Sequence, residues 1–444
     1  YIAPSNPADV SLDAIPAGEP VISRGLGLNF FDYMALFTIG RGGTFVRASE
    51  NSLTYLPSGQ EPRLIVGSRR GVPYHARGKN EKGSFGRHTP RYMTAEMIER
   101  LRARADAGAP ADFRRDIWPL IDQEVRTVYY ATLVRERRCT CAAEDFTALF
   151  ASANPAVVPI FGDPLAIEES EAQRTVLAKF DIGADQSWDW RKIASPFTGD
   201  DVTSTKQFRS WLRSYLNVEV REAGKGNVTG PRKAAMDVLR DLRNEIRLLV
   251  DHGGLSGDSY RDELQRWYMP LNAFLSIGPP AERIEQFCAL MNAGVLEVLG
   301  PDLHVDRSGG QFVAYSGTCP DLTVRAATLI EARLPETDLH RTADPLLRTL
   351  LKRGECGPYR IPIRGGGHWV AGGVAVTRRP YRLLDAQDRA HPRRFAFGVP
   401  TESVHWVTAA GIRPGVNSVI LADADAIARA SLCIATEHLT ERSA

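Results

Sequence analysis

The feature that most constrains this chain is a strand, a glycine turn and a helix within residues 19–71. Pro20–Arg24 (PVISR) reads as a short strand, Gly25-Leu26-Gly27 follows it, and residues 28–38 have helical composition. That succession opens a dinucleotide-binding βαβ unit. The first glycine permits a tight turn, and the second lets the backbone approach a pyrophosphate. The unpaired N–H groups of the helix start then face the anion. Gly25, Gly27, Leu28 and Asn29 are therefore the candidate pyrophosphate residues. Phe30 stands where the third glycine of the fingerprint is expected, so the motif is G-x-G-x-x-F. The plain structural alternative is a tight strand-to-helix turn.

A second strand is read at Arg63–Gly67, running into Ser68-Arg69-Arg70-Gly71. Arginines at the end of that strand suit a nucleotide 2′-phosphate, whereas an acid there would favour a free ribose hydroxyl. Ser68, Arg69 and Arg70 thus point to NADP, with Arg69 and Arg70 as a solvated basic edge if no nucleotide binds. Ser68 lies further from Gly27 than the usual twenty or so residues. Residues 42–47 and 53–59 look like a hairpin inserted before the second strand. Without an insertion, residues 44–47 form the second strand and Arg47 takes the phosphate role.

At 444 residues the chain is long enough for two or three lobes. Charged residues make up 24% and the net charge is +2, which implies no general attraction to nucleic acid or to a membrane surface. Six scattered cysteines without a C-x-x-C pair argue for a reducing cytoplasm and against a structural zinc site. No apolar run reaches membrane-spanning length. The chain starts at Tyr1 without a signal peptide, so it is expected to begin inside a longer protein.

The pattern divides the chain into a nucleotide-binding part (1–91), a mainly helical lobe (92–280) and a closing α/β part (281–444). Residues 72–83 form a polar, glycine-punctuated loop with His75, Arg77, Lys79 and Lys82, read as a lid over a cofactor or an anionic substrate, or as a solvated loop. Thr94 with Glu96 and Glu99 marks a helix start. Residues 112–150, 167–180, 205–216, 231–250 and 260–273 read as helices. The stripe Met236, Val238, Leu239, Leu242, Ile246 and Leu249 reads as a packed face, and Trp188, Trp190, Trp211 and Trp267 as packing. In the last part, Gly365-Gly366-Gly367 and Gly372-Gly373 flank His368-Trp369-Val370, where backbone can approach another group closely. Residues 395–397 read as a strand. His405 reads as a proton donor, as a flavin neighbour or as a structural histidine. No phosphate-binding G-x-x-x-x-G-K, H-E-x-x-H or G-x-S-x-G motif occurs.

The segments 25–32, 67–73 and 397–402 together resemble a bacterial family of FAD/NAD(P)-binding proteins. That family is more distantly similar to the flavin-dependent N-hydroxylating monooxygenases. The resemblance implies an α/β, Rossmann-like FAD/NAD(P)-binding three-layer sandwich with an inserted helical lobe. It implies FAD and NADP as cofactors and a small-molecule substrate. The second glycine turn, at Gly25, Gly27 and Asn29, would take NAD(P)H. A Gly-x-Pro-Thr loop, Gly398, Val399, Pro400, Thr401 and Glu402, with Thr408, Ala409 and Gly411, would lie beside the flavin. The first G-x-G-x-x-G of that family does not occur before Gly25, which with Tyr1 implies a truncated chain. The expected activity is that of an FAD-dependent, NAD(P)H-using oxidoreductase, monooxygenase-like, with few catalytic side chains. A non-catalytic dinucleotide sensor and a flavin-free NADP-dependent dehydrogenase are the alternatives.

Overall fold

In the computed structural model, which describes residues 1–49, 52–153, 162–199, 202, 204–409 and 419–441, Pro20–Arg24 is strand β1 and Leu28–Phe37 is helix α1. Gly25 between them has φ +120°, and a β-carbon there would meet the Ala332 carbonyl oxygen at 2.9 Å. No side chain fits that turn. Strands β2 (Thr44–Ser49) and β3 (Ser52–Leu56) pair antiparallel with each other. Strand β4 (Arg63–Gly67) then lies parallel beside β1, with Ile22 opposite Ile65. The hairpin is thus an insertion between β1 and its partner. Arg47 is not at the nucleotide position, because it sits on that hairpin in an ion pair with Glu285.

The middle of the chain is helical. Helix α2 (Ala95–Asp106) starts at Thr94, whose side chain accepts the Met97 N–H. A π-turn at Phe113–Ile117 leads into α3 (Trp118–Arg137), which is followed by α4 (Thr140–Ser152). Cys139 and Cys141 at the junction are joined in a disulfide, a pairing the scattered cysteines did not suggest. Helix α5 (Glu171–Lys179) is held by a Ser170/Gln173 capping box, and α6 (Trp190–Ala194) is short. Helix α7 (Thr205–Gly224) runs past the predicted end at residue 216. The stretch read as one helix over 231–250 is two, α8 (Pro231–Asp241) and α9 (Arg243–Val250). At the break, Arg243 Nε donates to the Arg240 carbonyl at 2.9 Å, satisfying a group the helix has released. A single turn, α10 (Gly257–Ser259), continues through a π-helix at Tyr260–Tyr268 into α11 (Met269–Ser276), and α12 (Ala281–Asn292) follows. The tryptophans pack as expected: Trp190 lies 4.8 Å from Trp118 and 5.2 Å from Trp188 by ring centroids.

The chain then returns through β5 (Leu296–Val298), the meander β6 (Leu303–Ser308), β7 (Gln311–Ser316) and β8 (Thr323–Ala326), and β9 (Thr328–Glu331). A parallel sheet of order β5-β4-β1-β9 results. Its side chains alternate between two cores. Val21, Leu64 and Val66 pack with Phe30, Phe31 and Phe287 of the helices. Ile22, Ile65 and Leu329 pack with Ala314 and Ala326 of the meander. The parallel sheet therefore has helices on one face and the antiparallel meander on the other, a mixed α/β arrangement compatible with a Rossmann-like fold.

The last part contains α13 (Pro345–Lys352), the hairpin β10 (Pro358–Pro362) and β11 (His368–Val374), the pair β12 (Arg382–Leu384) and β13 (Ala390–Phe395), and α14 (Val419–Glu441). The strand predicted at 395–397 ends at Phe395, because β13 pairs with β12 only as far as Arg382 opposite Phe395. Among the described residues no helix is long and apolar enough to cross a membrane.

Candidate active site

Strand order reverses around β1, with β4 on one side and β9 on the other. Open parallel sheets bind ligands at the carboxyl ends of strands where the order reverses. A cavity of about 720 Å³ lies there, and Gly25, Gly27, Leu28 and Asn29 line it together with Ser68, Arg69 and Arg70. All seven residues singled out for the nucleotide thus face one space. Gly27 is the α1 N-cap and offers no side chain to the helix start. Asn29 donates through Nδ2 to the Ser5 carbonyl at 3.0 Å, while its Oδ1 is buried without a partner among the described residues. A glycine turn that excludes β-carbons, an open helix start and an orphaned acceptor fit a dinucleotide.

The two arginines of the β4 end are not equivalent. Arg70 donates through Nε to the Ala194 carbonyl at 2.9 Å, and its guanidinium lies 4.4 Å from the Phe274 ring centre. Burial, and then Arg69, push its pKa down to about 10. Arg69 is exposed in the same cavity and makes no side-chain ion pair or hydrogen bond among the described residues. The Ser68 hydroxyl accepts the Gly71 N–H at 3.1 Å. Sequence reasoning also missed Arg24, which lines the cavity and forks onto the buried Glu331 carboxylate at the end of β9.

A larger cavity of about 1160 Å³ adjoins this one, and Leu28 and Leu334 line both. Val399, Glu402, Thr408 and Ala409 line it, whereas Pro400 faces a neighbouring cleft that Val399 shares. Gly398 and Thr401 are not in its wall, and Gly411 falls outside the described residues. The loop is held from within. Glu402 accepts the Val407 N–H at 3.0 Å and the Thr408 N–H at 2.9 Å. Thr401 donates to the Gly398 carbonyl at 2.9 Å, which leaves its oxygen to accept from His405 Nδ1 at 3.0 Å. His405 Nε2 then accepts from His252 Nε2 at 3.0 Å, a tautomer pattern assigned from this chain of bonds. Burial pushes the pKa of His405 down to about 4. His405 does not line the cavity, and its two ring nitrogens are engaged with Thr401 and His252.

What the cavity presents to a ligand is cationic and aromatic. Arg77, Arg240 and Arg243 line it, as do Tyr260, Trp369 and Trp406. Neither Arg77 nor Arg240 makes a side-chain hydrogen bond or ion pair among the described residues. Burial, followed by the Arg240 charge, holds the Arg77 guanidinium below its usual pKa. Trp406 is buried, and its indole N–H has no partner among the described residues. Gly372 and Gly373 behind the wall leave no room for a β-carbon, which would meet the Thr337 and Glu402 carbonyl oxygens at 1.8 and 2.0 Å. Arg77 belongs to the polar loop read as a lid. Arg240 and Arg243 were hidden among the apolar stripe of 236–249. Nothing in the sequence marks them, since on one continuous helix Met236 of that stripe would project between the two.

No protein-family model matches the chain. It is 56% identical over 432 residues to the L-aspartate N-monooxygenase (nitrosuccinate-forming) of Streptomyces davaonensis. It is 56% identical over 433 residues to the protein of the same name from Streptomyces cremeus. It is 53% identical over 441 residues to the nitrosuccinic acid synthase npaA of the fungus Aspergillus oryzae. These matches cover 97%, 97% and 99% of this chain but 64%, 63% and 64% of the relatives. The chain thus spans a little under two thirds of the length of the curated relatives it matches.

Proposed function

We propose that this chain carries the nicotinamide-nucleotide site and the substrate site of an FAD-dependent, NADPH-using N-monooxygenase that acts on L-aspartate. The observation that carries the reading is the pair of unpartnered guanidiniums, Arg77 and Arg240, in a cavity that adjoins the dinucleotide cleft at Leu28 and Leu334. L-Aspartate brings two carboxylates and one amine. Arginine matches a carboxylate with two parallel donors, so a cluster of them suits a dicarboxylate.

In this reading Gly25, Gly27, Leu28 and Asn29 would hold NADPH, and Ser68 and Arg69 would take its 2′-phosphate. The loop of Val399, Glu402, Thr408 and Ala409 would hold the flavin ring. Gly398, Pro400 and Thr401 shape that loop, and the free indole N–H of Trp406 is a donor toward the ring or the substrate. FAD, when bound and reduced by NADPH, supplies activated molecular oxygen for transfer to an amine. Arg77, Arg240 and Arg243 hold the substrate carboxylates and orient the amine. The same positive charges disfavour the ammonium form, so the bound amine keeps its lone pair available. Trp369, Tyr260 and Trp406 restrict water around it.

The test uses the full-length protein. Its visible spectrum should show flavin bands that bleach with NADPH, and L-aspartate should drive oxygen uptake with an N-oxygenated product. NADPH turnover without flavin bands would establish the flavin-free dehydrogenase instead. Flavin reduction with no response to L-aspartate would leave a binding module.

A further inference from the structure

The arginines that wall the large cavity also wall a second pocket. This pocket, of about 640 Å³, lies between the 77–86 loop, the end of α7 and α8, and it opens to solvent. Arg77 and Arg240 line both spaces, so they form the partition between them. The dinucleotide cleft meets the large cavity elsewhere, at Leu28 and Leu334. Among the described residues the large cavity therefore adjoins other spaces at separate places: the dinucleotide cleft at an apolar neck, the cleft of Val399 and Pro400, and this pocket at a neck that carries two guanidiniums.

The charge of the outer pocket runs the same way. Asp237 and Asp241 line it, but Lys82 Nζ lies 2.6 and 2.7 Å from their carboxylates and neutralises them in part. Lys79 lines it as well, and its ammonium has no ion pair or hydrogen bond among the described residues. Its backbone is fixed, with the N–H on the Ala223 carbonyl at 2.8 Å and the carbonyl accepting from Asn227 at 3.0 Å. The loop that carries Arg77 is anchored too. The Ala76 N–H binds the buried Glu219 carboxylate at 2.9 Å, and the Arg77 N–H binds the Pro279 carbonyl at 2.9 Å. Lys79 and Arg77 are thus displayed on a braced strap, with Lys79 outside and Arg77 at the neck beside Arg240 of α8.

We propose that this outer pocket is the antechamber through which a small dicarboxylate anion reaches the large cavity, with Lys79 as its first contact and Arg77 and Arg240 as the gate. The proposal rests on the substrate reading above and adds to it a separate route, so that the amino acid and the nicotinamide nucleotide need not share a mouth. A row of unpartnered cations narrowing toward a cavity raises the local concentration of an anion and speeds its capture.

The test is the association rate of L-aspartate with the oxidised, full-length, FAD-loaded protein, followed by the change in tryptophan fluorescence as Trp369 and Trp406 are covered. Two variants leave the cavity itself intact. Lys79→Glu reverses the outer charge, and Gly224→Phe puts bulk in the pocket at a glycine whose β-carbon would meet nothing within 4 Å. The association rate should fall about tenfold in Lys79→Glu at low ionic strength, with much of the loss removed by high salt. In Gly224→Phe the association and dissociation rates should fall together, leaving the equilibrium constant within about twofold, because a passage changes both rates alike. An unchanged association rate in either variant overturns the route. So does a change confined to dissociation, which would make the residue part of the binding site. A wild-type protein that binds no L-aspartate refutes the substrate reading itself, and the route with it.

Discussion

Replacing Arg240 by methionine keeps the length of the side chain and removes its charge. Arg240 is half-buried on the wall of the large cavity, with no carboxylate or carbonyl of the protein on its guanidinium among the described residues. Its whole donor capacity is therefore available to a ligand. A hydrogen bond to a charged partner contributes about 1.5–3 kcal/mol. Removing Arg240 also relieves the repulsion that depresses Arg77, which trims the loss. A net cost of about 2 kcal/mol raises the KM for L-aspartate roughly 30-fold. Arg77 is more exposed, so Arg77→Met should cost about 1 kcal/mol, or roughly fivefold. Oxygen uptake by the full-length, FAD-loaded enzyme, titrated with L-aspartate, reads both. The rate of flavin reduction by NADPH without substrate should stay unchanged, because the nucleotide cleft meets this cavity at Leu28 and Leu334. A KM within twofold of wild type in Arg240→Met would refute the assignment of the cationic wall to the carboxylates.

Three further outcomes follow from named contacts. Arg69→Ala should lower the preference for NADPH over NADH by roughly 5- to 30-fold in kcat/KM, one charge-assisted phosphate contact weakened by exposure. Arg70→Ala should leave that ratio nearly unchanged and instead lower the thermal midpoint, since its guanidinium serves Phe274 and Ala194; equal effects on the ratio would contradict the asymmetry. Lys233→Met should destabilise by about 2–3 kcal/mol in urea unfolding, because Lys233 and Glu219 are each 1% exposed and the buried carboxylate would lose its ammonium while keeping the Ala76 N–H, His75 and the Arg232 guanidinium at 3.6 Å. Adding Glu219→Gln should recover part of that, and a single-variant loss under about 1 kcal/mol would contradict it. Burial holds His252 at a pKa of about 3 and His405 at about 4, both below the ordinary 6.5. Both are neutral when folded, so the unfolded chain takes up protons first as pH drops. Their stabilising contribution is complete above about pH 6.5 and declines as pH falls toward 4 and 3. The thermal midpoint should drop between pH 7.5 and 5 and drop less in His252→Gln, whereas a flat profile would count against the buried pair.

The cleft at the carboxyl ends of β1 and β4 was legible in the sequence because its geometry is local. A turn that excludes β-carbons demands glycine, and Gly25 and Gly27 stand beside a strand and a helix that composition marks clearly. Ser68 and Arg69 follow from the end of the next strand. Even there, contacts with distant residues decided the details. Arg70 is drawn onto Phe274 and Ala194, and Arg47 sits on the inserted hairpin in an ion pair with Glu285. The second face of the sheet also escaped the sequence, since Ile22 and Ile65 signal burial without saying whether a helix or a meander covers them.

The cationic cavity was decided by tertiary structure alone. Arg77 comes from a loop, Arg240 and Arg243 from the two sides of a helix break, and Trp369 and Trp406 from the closing part of the chain. No spacing links these positions. They meet because the 75–79 strap is pinned between α7, α8 and the α11–α12 link, and because the 398–409 loop is braced by Glu402, Thr401 and the His405–His252 pair. Periodicity records which side chains are buried in a neighbouring element. It carries no trace of side chains that converge on an empty space from separate elements, and that convergence forms this cavity.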